Sequence, residues 1–235
     1  MYLLIFLAVA MIFVYLVNRY EYHNSNYKDL TGNTYNEVMN DKGKYGEFLT
    51  VEELERFDIE HRMAVNVYIP KNDHETTEID VIYICPYGIF VIESKNYSGW
   101  IYGDESHRYW TQVYSGNKKE KFYNPVFQNK THIKSLAKVL NIHENKMKSL
   151  IVFSQRCTLK VVTIKSNDVY VFNRKDLAKI LKTVIKNSPE ILSKDEIQEI
   201  YSKLKKYTNA SEKIKNDENL YFGEKDWFWK WTRVI

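Results

Sequence analysis

At 235 residues, with 44% hydrophobic and 27% charged side chains, the chain has a globular profile and room for one good-sized domain plus appendages, which excludes a disordered protein. Its formal net charge of +4 is too mild to mark a nucleic-acid partner by itself. Two distant cysteines, Cys85 and Cys157, exclude a disulfide framework or a cysteine-built zinc site and fit reduced thiols in a cytosolic compartment.

Residues 1–17 carry no charged side chain and are almost wholly apolar. As a helix they would span about 25 Å, close to the hydrocarbon thickness of a bilayer. A cleaved signal peptide is the rival reading. It calls for a basic start and small residues after the apolar run, whereas this run begins at residue 2 and Asn18-Arg19-Tyr20-Glu21-Tyr22 follows as an interfacial collar. An uncleaved transmembrane anchor is therefore expected. Arg19 and Lys28 follow it, so the positive-inside tendency places the C-terminal bulk in the cytoplasm, at the cell membrane.

Residues 18–42 are polar and without clear period, and they read as a juxtamembrane linker. Leu49, Val51, Leu54 and Phe57 recur at near-helical spacing, and Met63, Val65, Val67 and Ile69 alternate as a strand ending at Pro70. Ile79 to Cys85 and Ile89 to Ile92 are apolar on both faces and joined through Cys85-Pro86-Tyr87-Gly88, the signature of a central hairpin covered on both sides. Strands follow around Trp100–Tyr102 and Trp110–Tyr114. Asn124-Pro125 opens a helix with a core stripe of Val126, Ile133, Leu136, Ala137 and Leu140. Further strands fall at Leu150–Phe153, Val161–Ile164 and Val169–Phe172, and helices at Arg174–Lys186 and Lys194–Tyr207. The expected class is α/β with a mixed central sheet flanked by helices. Residues 43–155 form its main domain, and 156–235 form an α/β extension packed on it. The aromatic tail, Trp227 to Trp231, reads as an edge strand, with a dip into a membrane interface as the other reading.

In the hairpin, Ile84 would face Ile89, Ile82 would face Val91, and Asp80 would face Glu93. Opposed β-carbons lie within roughly 5 Å, so two like charges there repel. A hard divalent cation such as Mg²⁺ is a common compensation. Lys95, two residues from Glu93, would share its face. The plain structural alternative is a cross-strand ion pair between Lys95 and Glu78, with Asp80 and Glu93 hydrated at the sheet rim.

The stretch Glu78 to Ile82, then Gly88 to Gly99 with its Glu93-Ser94-Lys95 core, resembles the nuclease-related domain family called NERD. Gly46-Glu47 upstream and Asn124 to Asn129 downstream stand in the family's order and approximate spacing, so the similarity covers roughly residues 43–155. That family is similar to the PD-(D/E)xK nucleases, whose restriction-endonuclease-like folds use Mg²⁺ or Mn²⁺ on phosphodiesters. The resemblance implies Asp80, Glu93 and Glu47 as metal ligands, Lys95 as the catalytic lysine, and Gln128 at the glutamine position of the later helix. This chain departs from the pattern in having Ile79-Asp80 where a Pro-Asp dipeptide would stand. The expected function is a membrane-tethered, metal-dependent nuclease acting on DNA or RNA, with the homodimer that such enzymes often form as a further expectation. A non-catalytic module binding nucleic acid or a protein partner is the alternative.

Lys130, Lys134 and Lys138 recur every four residues as a basic stripe that could track a nucleic-acid backbone or be a solvated face. Gln128 reads equally as an anion-site residue and as a solvated or capping side chain. His61, His107, His132 and His143 lack metal-ligand spacing and are assigned no role. Trp100 and Trp110 are expected to pack in the sheet rather than stack on bases.

Overall fold

The computed structural model of the chain describes residues 2–71 and 75–208. The aromatic tail lies outside them. Four helices come first: α1 (Tyr2–Asn24), α2 (Tyr27–Thr31), α3 (Tyr35–Asn40) and α4 (Lys42–Glu55). β1 (Arg62–Pro70), β2 (Thr76–Cys85) and β3 (Gly88–Lys95) form an antiparallel meander. β4 (Gly99–Asp104), β5 (Tyr109–Val113) and β6 (Lys119–Tyr123) form a second one. Then come α5 (Pro125–Leu140), β7 (Met147–Phe153), β8 (Cys157–Thr163), β9 (Val169–Asn173), α6 (Leu177–Lys186) and α7 (Lys194–Leu204).

The strands build two mixed sheets, a central one in the order β1-β2-β3-β7-β9 and a smaller one in the order β6-β5-β4-β8. β3, β7 and β9 run parallel, as do β4 and β8. The α/β class with a mixed central sheet flanked by helices is what the chain adopts. Residues after 155 contribute strands to both sheets, so the sheets extend across that expected boundary. On one face of the central sheet, Val81, Tyr83, Phe90 and Ile92 pack with Phe48, Val51 and Leu54 of α4 and with Leu177 and Leu181 of α6. On the other, Ile82, Ile84, Ile89 and Val91 meet Ile133, Leu136 and Leu140 of α5 and Ile197, Ile200 and Leu204 of α7. A strand covered on both faces needs apolar side chains at successive positions, which is why the hairpin lacks alternation.

The first segment differs from the expected anchor and linker. α1 continues past Val17 to Asn24, and residues 18–42 hold two further short helices in place of a linker. Tyr22, Tyr27 and Val38 are buried in the core. Tyr22 meets Phe48 at 5.8 Å and Tyr35 at 5.6 Å between ring centroids, and its hydroxyl donates to the Asn33 carbonyl. Tyrosines serve as core residues here because each buries a ring while its hydroxyl finds a partner, so the polar composition conceals the packing. The apolar part of α1, Leu3 to Leu16, stays exposed, and by length and composition the helix is sufficient to cross a membrane.

Two irregularities shape the middle of the central sheet. β1 and β2 pair through Val65↔Val81 and again through Val67↔Ile79, skipping the step between Asn66 and Asp80. Asn66 is left-handed, with φ 53°. Both strands change face there: Val65 and Val81 belong to the α4 side, Val67 and Ile79 to the α5 side. The register is the same on both sides of this step, so it is the left-handed turn of the backbone at Asn66, and not a shift of one strand along the other, that accompanies the change of face.

Candidate active site

The residues singled out in the hairpin meet where β2 and β3 part. Their pairing holds the expected register at Ile84↔Ile89 and Ile82↔Val91 but ends at Val81↔Ile92, one step before Asp80 and Glu93 would oppose each other. The face change at Asp80 accounts for this. Instead of standing across from Glu93, the Asp80 carboxylate accepts the Ser94 backbone N–H at 2.7 Å through Oδ2.

Glu93 is buried and holds two partners. Lys95 Nζ lies 2.7 Å from its Oε1, and His132 Nε2 lies 3.1 Å from its Oε2. Lys95 also donates to Gln128 Oε1 at 3.1 Å, which ties β3 to the first turns of α5. The ion pair of Lys95 is thus with its own-strand neighbour Glu93, and Glu78 accepts from the Tyr68 hydroxyl at 2.5 Å. Burial works against the Lys95 ammonium, but Glu93 first, then Tyr97 and Asp80, outweigh it and raise its pKa. Burial likewise works against ionised Glu93, while Lys95 and His132 pull its carboxyl below the usual value.

Asp80 and Glu47 go the other way. Burial, with Glu93 and Glu47 as like charges, holds Asp80 well above the ordinary carboxylate range. Burial and Glu78 push Glu47 up to about 8, against opposing hydrogen bonds from Tyr27 and Asn66. Glu47 arrives on α4 because the preceding residue is glycine. A Cβ on Gly46 would stand 2.9 Å from Asn96 Cβ and 3.3 Å from Ser94 Oγ, so the bare backbone lets α4 sit against the end of β3.

His132 is the residue that sequence reasoning missed. It is fully buried on α5, with Nδ1 2.8 Å from the Thr77 hydroxyl oxygen and Nε2 on Glu93. Its partners stand 55 and 39 positions away in the chain, so no local pattern could reveal it. Lys130, Lys134 and Lys138 are all exposed on α5, on a different side from Gln128 and His132. Trp110 is buried as expected, whereas Trp100 is 45% exposed on the smaller sheet.

Asp80, Glu93 and Glu47 suit a hard divalent cation in kind: oxygen donors in a partly buried cluster whose charges are under-compensated. The Asn66 side-chain oxygen is also buried and without a hydrogen-bond partner among the described residues. As they stand, no three His, Cys, Asp or Glu side chains among the described residues are disposed to hold a metal ion together. Glu93 accepts through both oxygens, Asp80 through Oδ2 and Glu47 through Oε2.

A mixed sheet presenting Asp80, Glu93 and Lys95 at the parting of two central strands, completed by a glutamine from a following helix, defines a nuclease-type α/β fold. The profile of the nuclease-related domain, NERD, matches residues 42–154. An uncharacterized protein of Bacillus anthracis is 37% identical over 161 residues, covering 68% of this chain and 74% of its own. The chain belongs to the NERD family. Among solved structures, that of Can2 from Sulfobacillus thermosulfidooxidans in complex with cyclic tetra-adenylate aligns with 61% of this chain at 20% identity and a TM-score of 0.33. The match spans 36% of the Can2 chain, a likeness too loose to argue from.

Proposed function

We propose that this protein is a divalent-metal-dependent nuclease that hydrolyses phosphodiester bonds of DNA or RNA, held at the cytoplasmic face of the cell membrane by α1. The observation that carries the reading is the position of Lys95, a half-buried ammonium fixed between Glu93 at 2.7 Å and Gln128 at 3.1 Å, beside a carboxylate cluster that is short of positive charge.

In this reading Lys95 stabilises the negative charge that develops on a phosphate during attack by water, and its two partners hold the ammonium in place so that little reorganisation is needed. His132, anchored by Thr77, keeps the second Glu93 oxygen fixed. The Ser94 N–H orients Asp80. Mg²⁺ or Mn²⁺, held by Asp80 with Glu93 and Glu47 as further ligands, would supply charge neutralisation and a lowered pKa for bound water. The anchor rests on the length and composition of α1, and the orientation on Arg19 and Lys28.

One observation favours the non-catalytic alternative. Both Glu93 oxygens already accept from Lys95 and His132, so a cation at Glu93 would have to share them with these two donors. The full chain in detergent micelles, offered labelled single- and double-stranded DNA and RNA with Mg²⁺, Mn²⁺ or EDTA, separates the two. Metal-dependent cutting lost in both Asp80→Ala and Lys95→Ala supports the nuclease. No cutting by folded protein under any of these conditions leaves a nuclease-fold binding module.

A further inference from the structure

The smaller sheet has an inner and an outer face of different chemistry. Ile101, Trp110 and Phe122 face inward and pack with Phe153 of β7, Trp110 stacking on Phe153 with centroids 6.2 Å apart. The residues that alternate with them form the other face, where Val113 is buried and Trp100, Tyr109, Tyr123, Lys119 and Lys121 are exposed. Cross-strand register places Tyr109 beside Tyr123, Thr111 beside Lys121 and Tyr102, and Val113 beside Lys119 and Trp100. On β8, Lys160 holds its ammonium 4.9 Å from the Trp100 ring centroid. Arg108 lies 5.6 Å from the Tyr109 ring. Trp100, Tyr109 and Tyr123 keep between 42% and 45% of their surface in water, unusual for three rings on one small sheet.

The charge on this face is one-sided. Lys119, Lys121 and Lys160 point outward. Asp104, at the end of β4, is the acidic residue in the same alternation, and its Oδ1 is taken by the Ser106 N–H at 2.8 Å and hydroxyl at 2.5 Å. The rings also lead somewhere. Tyr109 meets Tyr123 at 6.3 Å and Tyr123 meets Phe127 at 6.5 Å. Phe127 precedes Gln128, which holds Lys95.

From this geometry we infer that the outer face of the β6-β5-β4-β8 sheet is a binding platform for single-stranded nucleic acid, with bases stacking on Trp100, Tyr109 and Tyr123 and phosphates meeting Lys119, Lys121 and Lys160. Exposed rings interleaved with lysines match a polymer that has a flat apolar surface and one negative charge per unit. A duplex keeps its base faces stacked inward and cannot offer them. The platform deepens the nuclease reading by naming its substrate class, and it rests on that reading only for the link to the candidate active site. It is a different surface from the Lys130, Lys134 and Lys138 stripe.

The test is fluorescence anisotropy of the full chain in micelles with labelled 20-mers of deoxythymidine, of uridine and of a DNA duplex, in EDTA so that cleavage plays no part. Wild type is expected to bind both single strands more tightly than the duplex. Trp100→Ala and Tyr109→Ala should each weaken single-strand binding about tenfold while Trp100→Phe retains it. The triple change Lys119→Gln, Lys121→Gln, Lys160→Gln should lower the slope of log affinity against log salt by about 2. Thermal unfolding of each variant confirms that these exposed changes leave the fold intact. Duplex binding as tight as single-strand binding overturns the inference. So does unchanged affinity in the ring variants, including the case where they instead abolish self-association in sedimentation. A protein that cuts nucleic acid but binds equally well without its rings keeps the nuclease reading and loses the platform. A protein that needs its rings to bind but never cuts does the reverse.

Discussion

Tyr27 donates its hydroxyl to Glu47 Oε2 at 3.0 Å, so a side chain from the segment just after α1 supports a carboxylate of the candidate active site. Tyr27 is fully buried, and its bond is among the influences that keep Glu47 from rising further. Tyr27→Phe preserves the ring and deletes that donor. The expected result is a loss of about 1–2 kcal/mol in urea unfolding at pH 9, where Glu47 is ionised, and a smaller loss at pH 5, where it is protonated. Equal losses at both pH values would mean that the hydroxyl does not act through the Glu47 charge.

The raised carboxyls predict a pH dependence of stability. Glu47 has an ordinary value of 4.5 and lies at about 8 in the folded chain, and Asp80 is shifted the same way. The folded state therefore holds more protons than the unfolded one between these values. This contribution is complete below about pH 4.5 and is lost as the pH rises through about 8. Urea midpoints are expected to fall from pH 5 to pH 8.5, with a shallower fall in Glu47→Gln. Millimolar Mg²⁺ should recover stability at pH 8.5 and have little effect at pH 5, because a cation competes with protons for the same oxygens.

Removal of Lys95 tests both stability and reaction. Lys95→Ala leaves Glu93 buried with His132 as its remaining partner among those described, at an expected cost of about 3 kcal/mol. The double change Lys95→Ala, Glu93→Gln should restore much of that stability without restoring cleavage. In the proposed nuclease the single change removes a positive charge from beside the phosphate and should lower kcat by about 10²–10³-fold.

Gly103 is a steric test of how the two sheets are joined. A Cβ there would fall 2.2 Å from Trp110 Cδ2, while Trp110 donates its indole N–H to Asp104 O at 2.9 Å. Gly103→Ala must displace the ring that stacks on Phe153, at an expected cost of about 1–3 kcal/mol. Near-ultraviolet circular dichroism should report the changed Trp110 environment.

How much of this was legible in the chain follows the range of the interactions. The central hairpin and its register at Ile82 and Ile84 were readable because two-sided apolar runs and a short turn are local signals. So was the start of α5, where Asn124 accepts the Val126 N–H at 2.9 Å. β6 escaped because three of its five residues are charged and, as an edge strand, it needs little burial. The helices of residues 18–42 escaped because their core is built from Tyr22 and Tyr27 with Val38, too few aliphatic residues to give a period. Asp80 could be named, but not its orientation. That goes with a left-handed Asn66 in the neighbouring strand, and only the paired strands together reveal the change of face.

Because Tyr22 is sunk into the body against Phe48, α1 is a mast stepped into the hull and not a mooring line. Gly46 and Glu47 come directly before Phe48 on α4, so the footing of the mast and a carboxylate of the candidate site share one piece of backbone. Whatever sets the direction of α1 thereby sets the bearing of the Glu47 carboxylate and its neighbours.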